Sequence, residues 1–494
     1  MANIGDSIRS GAKWLLAGSI ARQILQFMIG VVLARLLVPA DFGMIITVQV
    51  FTGFAGMVMS GGMGQSLIRA KEVDDHDFNA VFTMQLAMSI VIYLSFFLAA
   101  PLIAEYFANP IYEDLVRVST LVFLLKPFAF MYNSWLNREM NFKTRSLVTF
   151  ATGIVTGISG IVMAWFGMGV WSLTFSGLLG ALFSNLLLGR LLPLRLALNP
   201  NFTIMRKHSA YGLKITANDF LSYLTRESKN LILSKVGGPH FLGLFNKAES
   251  LSRTPNDLIM PATMQPVFRA LSTMQDDLDK SKYLLYRAIT LLTVYTMPLY
   301  IWFWWVAEPF IGTLYGDKWI ASAEPLSILA LSGIFFNILF PCGRLLDAQN
   351  KLSQESVVLI LRLAVVIAAC LVGLNWGLTG VAWGVMFGNI FGACCLYYLV
   401  YRTLHTRLRE LFEALAPGLL LGSFLFAALA LVHISLGESK SNAPILYLLI
   451  MTVAGVTMYA GVFLLIPIPT LRSESVRWRG QLRNLAVSVR KMIT

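Results

Sequence analysis

The sequence predicts an all-α integral membrane protein with about fourteen transmembrane helices, and both its composition and its long apolar runs support this. Hydrophobic residues make up 56% of the 494 residues and charged residues only 13%, whereas soluble domains usually carry about 25% charged residues. A water-soluble globule of this length cannot bury so much apolar surface. The chain is therefore expected to have lipid as its solvent.

The long apolar runs place the spans along the chain. A helix needs about 20 apolar residues to cross the hydrocarbon core. The first run, 14–37, is longer than the core of a signal peptide and is followed by no small-residue cleavage pattern, so we expect it to stay in the mature chain. The predicted spans are residues 12–37, 43–67, 78–101, 114–136, 146–166, 168–190, 209–236, 241–268, 283–306, 325–346, 356–374, 378–401, 413–435 and 444–468.

Lys and Arg residues are distributed unevenly between the two sides of these spans. When residues near a span end are counted with the adjacent loop, 26 of the 39 fall on the side that holds both termini, 5 on the other side and 8 deep inside spans. Because positively charged loops stay on the cytoplasmic face, both termini are predicted to be cytoplasmic. The net charge of +13 then indicates anionic lipid headgroups rather than nucleic acid as the partner of these loops.

The two halves of the chain repeat each other, with equivalent residues 200 and later 210 positions apart. Each half has six predicted spans, so both halves point the same way across the membrane. We therefore predict two six-helix bundles that are parallel repeats facing a central cavity, the architecture of an alternating-access carrier. The repeated pairs are Pro39 and Pro239, Gly43 and Gly243, Gln65 and Gln265, Arg69 and Arg269, Leu136 and Leu346, and Gly167 and Gly377.

The repeat sets the predicted domain organisation. The N-terminal six-helix lobe covers 1–198 and the C-terminal six-helix lobe covers 199–410. Two additional transmembrane helices occupy 411–469. In the tail, 470–494, apolar residues recur every three or four positions opposite a basic face, which predicts an amphipathic cytoplasmic helix on an anionic membrane surface.

Charged residues inside the predicted spans are the main functional signal. Each costs roughly 2.5–3.5 kcal/mol to insert, so those that persist are expected to face a hydrated cavity or a partner. Basic residues outnumber acids there, which predicts a positive cavity suited to a diphosphate or an acidic sugar. The basic residues are Arg22, Lys126, Lys214, Arg226, Lys229, Lys247, Arg253 and Arg362, and the acids are Asp219, Glu227, Glu249 and Asp257.

Polar residues of the first, seventh and eighth spans recur every three or four positions, so each set lies along one helical face. These three spans are predicted to line the cavity. The candidate substrate-contacting residues are Arg22, Gln26, Lys126, Asp219, Arg226, Lys229, Asn230, Arg253 and Asp257. The candidates for proton or sodium coupling are Asp219, Glu227, Glu249 and Asp257.

The lysines among these residues also have a structural interpretation. Lys214 and Lys247 lie near span ends and can snorkel to the headgroups. Lys126 directly precedes Pro127 and can satisfy carbonyls that a proline kink frees. Arg22 is the strongest single candidate for a cavity cation, because no carboxylate is within reach along its own helix.

Two of the arginines have carboxylates close in sequence. Arg253 can pair with Glu249 one turn earlier. Arg226 can be neutralised by Asp219 or by Glu227, although Glu227 lies off the polar stripe. For both arginines a structural ion pair therefore competes with a contact to cargo.

Signatures of catalysis and of cofactor binding are missing from the sequence. There is no G-x-x-x-x-G-K-[ST] phosphate loop, and the five histidines and four cysteines have no metal-ligand spacing. We therefore predict no cofactor and no enzymatic activity. Two alternatives to the carrier of an anionic cargo stay open. A membrane-bound polysaccharide polymerase or ligase would be expected to have a large external loop. A cation-coupled multidrug exporter would be expected to favour acids in its lumen.

Four segments resemble the polysaccharide transporter family, which contains the Wzx-type flippases and belongs to the multidrug/oligosaccharidyl-lipid/polysaccharide superfamily. The likeness covers nearly the whole chain and is strongest to members like the colanic acid exporters. Its residues are Ser10-Gly11-Ala12-Lys13-Trp14; Leu33-Ala34-Arg35-Leu36-Leu37 with Pro39, Asp41, Phe42 and Gly43; Phe245-Asn246-Lys247-Ala248 running on to Gln275-Asp276-Asp277; and Leu314-Tyr315-Gly316-Asp317-Lys318-Trp319.

The resemblance implies a cargo and a location. Its members translocate undecaprenyl-diphosphate-linked oligosaccharide repeat units from the cytoplasmic to the periplasmic leaflet of the bacterial inner membrane, for exopolysaccharide, capsule or O-antigen biosynthesis. The partners it implies are this lipid-linked substrate, membrane lipids, a proton or sodium ion for coupling, and polysaccharide polymerase or export machinery. It also places the first, seventh and eighth spans along a central portal.

Overall fold

Helices are the only regular secondary structure in the part of the chain that the structure, a computed structural model, describes. The described residues are 21–60, 67, 74–202, 204–205, 223–224, 226–273, 277–349, 351–436, 439–465, 469–472, 474–481 and 483. Ten helical stretches among them are long and apolar enough to cross a membrane. The predicted all-α membrane fold class is confirmed.

The chain divides into two compact units, of which unit 1 is Met1–Gly243 and unit 2 is Leu244–Thr494. The helices of unit 1 begin with α1, described over 21–36. They continue with α2 (Pro39–Ser60), α3 (Asp75–Tyr106), α4 (Ile111–Thr120), α5 (Val122–Arg138), α6 (Phe142–Trp165), α7 (Val170–Leu191) and α8, described over 226–236. The next helix, α9 (Gly238–Thr273), begins in unit 1 and ends in unit 2.

Unit 2 contains the longest helix described, α10 (Leu278–Tyr315). After it come a 3-10 turn (Asp317–Ser322), α11 (Ala323–Ala348), α12 (Leu352–Gly373), a second 3-10 turn (Leu374–Trp376), α13 (Gly377–Leu404), α14 (Leu408–Leu436), a four-residue turn of helix (Ser439–Asn442) and α15 (Pro444–Leu465). The main apolar core of unit 2 lies between α10, α11, α13 and α14. In the tail, residues 474–481 are helical.

Each predicted span overlaps at least one of these helices. The continuous apolar stretch Ser353–Leu404 contains most of α12 and all of α13, and these two helices correspond to two predicted spans. Helix α9 is absent from the ten apolar stretches because Lys247, Glu249, Arg253 and Asp257 interrupt it. The arrangement of twelve spans plus two stays a prediction.

Polar side chains fix where several helices begin. The Asp74 carboxylate accepts from the backbone N–H of Asp77 while the Asp77 side chain accepts from the Asp74 N–H, which forms a capping box at the start of α3. Asn141 caps α6 and Asp277 caps α10 in the same way, each by accepting from the backbone N–H three residues later. These caps position the helix starts just outside the apolar segments.

Some pairs of the predicted repeat occupy similar places in their own units. Gly167 (φ +78°) and Gly377 (φ +67°) both have the left-handed backbone that favours glycine, and each lies where one helix ends and the next begins. Leu136 and Leu346 are both fully buried near the ends of α5 and α11. The domain organisation built on this repeat stays a prediction.

Candidate functional site

A cavity of about 450 Å³ opens in unit 1 between α2 and α5, and it contains one of the predicted site residues. Its walls include Gly53, Gly56 and Met59 of α2 and Lys126, Phe130 and Asn133 of α5. Of the described residues that line it, Lys126 alone is charged. Cavities of a few hundred Å³ with few polar groups are typical of ligand sites.

The ammonium of Lys126 lies against apolar groups. Its Nζ is 4.4 Å from the centroid of the Phe123 ring, a cation–π contact. No carboxylate among the described residues contributes to its electrostatic environment. A methyl group at Gly56 would come within 2.9 Å of this Nζ, so the glycine leaves the space that the ammonium occupies.

The alternative role of Lys126 at the Pro127 kink stays a prediction. The carbonyl of Leu125, in the turn that contains Pro127, accepts a 2.8 Å hydrogen bond from Nδ2 of Asn185 on α7. A proline removes the hydrogen bond to the carbonyl four residues earlier, which here is that of Phe123, so this bond does not replace such a role. The ammonium of Lys126 lies at the cavity wall.

Arg226 is neutralised by the residue next to it. Its Nε lies 2.9 Å from Oε1 of Glu227, and Oε2 of Glu227 accepts a 2.7 Å hydrogen bond from Asn230. The structural alternative in which Glu227 neutralises Arg226 is therefore realised. Lys229 is buried and donates to the Arg226 carbonyl at 2.8 Å.

Arg253 of α9 forms the ion pair that its spacing allows. Its Nη2 and Nε lie 2.6 and 3.1 Å from Oε1 of Glu249. Asp257, one turn further along α9, is exposed. The structural alternative for Arg253 is therefore realised, which leaves this arginine only partly available to an anionic cargo.

The ammonium of Lys247 contacts two aromatic rings. Its Nζ lies 4.7 Å from the ring of Tyr315 and 4.9 Å from the ring of Trp319, and both aromatic side chains are buried in unit 2. The two rings stabilise the ammonium by cation–π contacts. Snorkelling of Lys247 to the headgroups stays a prediction.

Lys126 is the one predicted site residue among the described residues that line the cavity. Arg22 and Gln26 are exposed on α1, where Ile24 and Met28 are exposed as well. Asp219 and Lys214 lie outside the described residues. The shared cavity that was predicted for all nine candidates stays a prediction.

Two buried polar residues that were not chosen as site residues stand out. Gln85 of α3 is fully buried, and neither its amide oxygen nor its amide nitrogen bonds to a described residue, an arrangement that is costly without a partner. Arg362 of α12 donates from Nη2 to Asn389 at 2.7 Å, while its buried Nε has no described partner. The position of Arg362 in the middle of a span was its signal, whereas nothing in the sequence marked Gln85.

Among the described residues, no group of three or more His, Cys, Asp or Glu side chains can hold a metal ion. Cations exceed acids in both units among the described residues that lie at least five positions inside the predicted spans. Unit 1 has Arg22, Lys126, Arg226 and Lys229 against Glu227, and unit 2 has Lys247, Arg253 and Arg362 against Glu249 and Asp257. This arrangement favours binding of anions.

Sequence comparison relates the chain to proteins of polysaccharide biosynthesis. Residues 32–324 match the family described as polysaccharide biosynthesis protein. The lipopolysaccharide biosynthesis protein WzxC of Escherichia coli (strain K12) is 22% identical over 401 residues, which are 80% of this chain and 80% of that protein. The succinoglycan biosynthesis transport protein ExoT of Rhizobium meliloti (strain 1021) is 25% identical over 335 residues, 67% of each chain.

The fold is also found among solved structures. The lipid II flippase MurJ in an inward closed conformation superimposes with a TM-score of 0.72, covering 94% of this chain and 99% of that chain at 16% sequence identity. At that identity the likeness concerns the fold alone.

Proposed function

The chain belongs to the polysaccharide biosynthesis protein family, and from this premise we propose that it carries lipid-linked oligosaccharides across the bacterial inner membrane. The resemblance to the polysaccharide transporter family is confirmed, and the chain is a membrane transport protein rather than an enzyme. The proposed cargo is an undecaprenyl-diphosphate-linked repeat unit. The proposed direction is from the cytoplasmic to the periplasmic leaflet.

The Lys126 cavity carries this proposal. An ammonium without a carboxylate partner among the described residues, inside an otherwise apolar cavity, is expensive in a membrane unless an anion neutralises it for part of the transport cycle. A diphosphate supplies that charge and accepts charge-assisted hydrogen bonds from the ammonium. The apolar walls formed by Met59 and Phe130 suit the first isoprene units beside the diphosphate.

The wider excess of cations fits the same cargo. In unit 1, Arg22 and Lys229 would add positive potential for the diphosphate, while Arg226 is already tied to Glu227. In this proposal the cargo moves by alternating access, with the headgroup bound by cations and the lipid tail left in the bilayer.

Binding of the cargo by the purified full chain tests the proposal. Wild type in detergent is titrated with undecaprenyl-diphosphate-linked saccharide, and Lys126→Ala is expected to weaken binding by about 10- to 100-fold, the effect of losing one charge-assisted hydrogen bond. Lys126→Arg is expected to keep most of the affinity because it keeps the cation.

Lys235→Ala is the matched control. The Nζ of Lys235 lies 4.3 Å from the ring of Tyr106, a contact much like that of Lys126, but this lysine is exposed and lies outside the cavity. Its substitution is expected to leave binding unchanged. Equal affinities for wild type and Lys126→Ala would refute the proposed site. Tighter binding of cationic dyes than of the lipid-linked saccharide would favour the drug exporter instead.

A further inference from the structure

Two carboxyl groups meet where α11 ends and α12 begins. Glu355, in the first turn of α12, lies beside the carboxyl group of Asp347 on α11. Its Oε1 would be 2.8 Å from a methyl group at Gly343, so the absence of a side chain there lets Glu355 approach α11. Gly343 and Asp347 are one turn apart and share a helical face.

A hydrogen bond between two carboxyl groups requires a proton, because ionised carboxylates only accept hydrogen bonds. One cation is present, since Nη1 of Arg344 lies 3.1 Å from Oδ2 of Asp347. Besides Asp347, Arg344 is the only described charged group that acts on Glu355, and Lys351 is turned away to the hydroxyl of Thr403 at 2.9 Å. A single guanidinium cannot neutralise two carboxylates, so one negative charge remains for a proton.

The same contact occurs in unit 1 with different chemistry. Asn137 and Arg145 lie 210 positions before Asp347 and Glu355, the spacing that also relates Leu136 to Leu346. Nη1 of Arg145 donates a 2.6 Å hydrogen bond to Oδ1 of Asn137, between the end of α5 and the start of α6. In unit 1 the two side chains form a complete donor–acceptor pair, whereas in unit 2 both are acids.

We propose that Asp347 and Glu355 form a proton-binding site that holds one shared, exchangeable proton. The inference goes beyond the proposed cargo because it concerns an ion that the chain binds. The proton is taken from water as an O–H bond forms on one carboxyl oxygen, and it returns to water when that bond breaks. The side chains of Arg344 and Asp347 are 46% and 20% exposed, which gives water access to the pair.

Loss of the proton changes the connection between α11 and α12. Two neighbouring ionised carboxylates repel each other, and the single charge of Arg344, which lies against Asp347, cannot neutralise both. Glu355 is then expected to leave the face of Gly343. The occupied and empty states of the site therefore favour different positions of the first turn of α12, which is the property that a coupling site needs.

Infrared difference spectroscopy of the purified full chain in lipid nanodiscs tests this site without any cargo, so its outcome is separate from that of the proposed function. The difference between wild type and Glu355→Gln at neutral pH is expected to contain the C=O stretch of one protonated carboxyl group, which disappears as the pH is raised. Asp347→Asn is expected to lose the same band, and the double variant to lose no more than either single variant, because the proton is shared.

Two further variants serve as controls. Arg145→Gln alters the equivalent contact in unit 1 and is expected to keep the band. The double variant Asp347→Asn with Glu355→Arg installs the unit 1 pair in unit 2, and it is expected to fold and to lack the band. Retention of the full band in Glu355→Gln, or its absence from wild type, would overturn the proposal. A band that responds to sodium but not to pH would overturn it too, by indicating a metal cation instead.

Discussion

Two glycines at repeated positions make a reciprocal contact that should tolerate no side chain. A methyl group at Gly43 of α2 would be 1.7 Å from the carbonyl oxygen of Pro239, and one at Gly243 of α9 would be 1.9 Å from the carbonyl oxygen of Pro39. An ordinary carbon–oxygen contact is about 3.3 Å, so either alanine requires the two helix starts to part by about 1.5 Å.

The expected cost of this displacement is that of overpacking, about 1–3 kcal/mol. For a unit of this size that corresponds to a fall of roughly 2–12 °C in melting temperature. Gly43→Ala and Gly243→Ala should each show this fall when thermal unfolding of the purified protein is followed by tryptophan fluorescence. The double variant should fall by less than the sum, because the first substitution already separates the helices.

Gly177→Ala is the matched control. Gly177 is also helical and lies in the same unit, but a methyl group there would have no neighbour within 4 Å. Its replacement by alanine is expected to leave the melting temperature unchanged or to raise it slightly, since alanine favours a helix by roughly 0.5–1 kcal/mol. If Gly43→Ala behaves like Gly177→Ala, the close packing of these helix starts is refuted.

Two further predictions concern charge. Arg253→Leu should destabilise the protein more than Arg226→Leu, by about 1–3 kcal/mol. The reason is that the Glu249 side chain is 8% exposed, whereas the Glu227 side chain is 20% exposed and keeps its hydrogen bond to Asn230. Equal melting temperatures of the two variants would contradict this. The pKa of Asp74 is lowered because its carboxylate accepts a hydrogen bond from the Asp77 backbone N–H. The ionised carboxylate therefore stabilises the fold above the ordinary aspartate pKa of about 4, and this stabilisation is lost as the pH falls. The melting-temperature difference between wild type and Asp74→Ala should therefore shrink in acid, and a difference that stays constant would show that the ionised cap is not its source.

The membrane spans could be predicted because lipid imposes a simple rule on composition. The predicted span 378–401 corresponds to Gly377–Leu404 and 146–166 to Phe142–Trp165. The rule fails where a helix continues into polar surroundings. The predicted span 283–306 therefore covers only part of the 38-residue helix Leu278–Tyr315. It also missed the break at Leu121, which separates α4 from α5 inside a predicted span.

The candidate site was predictable only where both partners lie on one helix. The pair of Arg253 with Glu249 follows from their spacing of four residues. The surroundings of Lys126 depend on Gly56 of another helix, and those of Glu355 depend on Gly343 and Asp347 across a turn. Contacts of this kind are set by packing between helices, which one sequence does not reveal.

Transport in proteoliposomes tests the central claim most directly. The protein is reconstituted with a fluorescent undecaprenyl-diphosphate-linked saccharide, and an impermeant quencher reports how fast the label changes leaflet. Wild type, Lys126→Arg and Lys235→Ala are expected to move the label at similar rates, and Lys126→Ala to move it about 10-fold or more slowly. Equal rates in Lys126→Ala and wild type, or no movement above protein-free vesicles, would contradict the account.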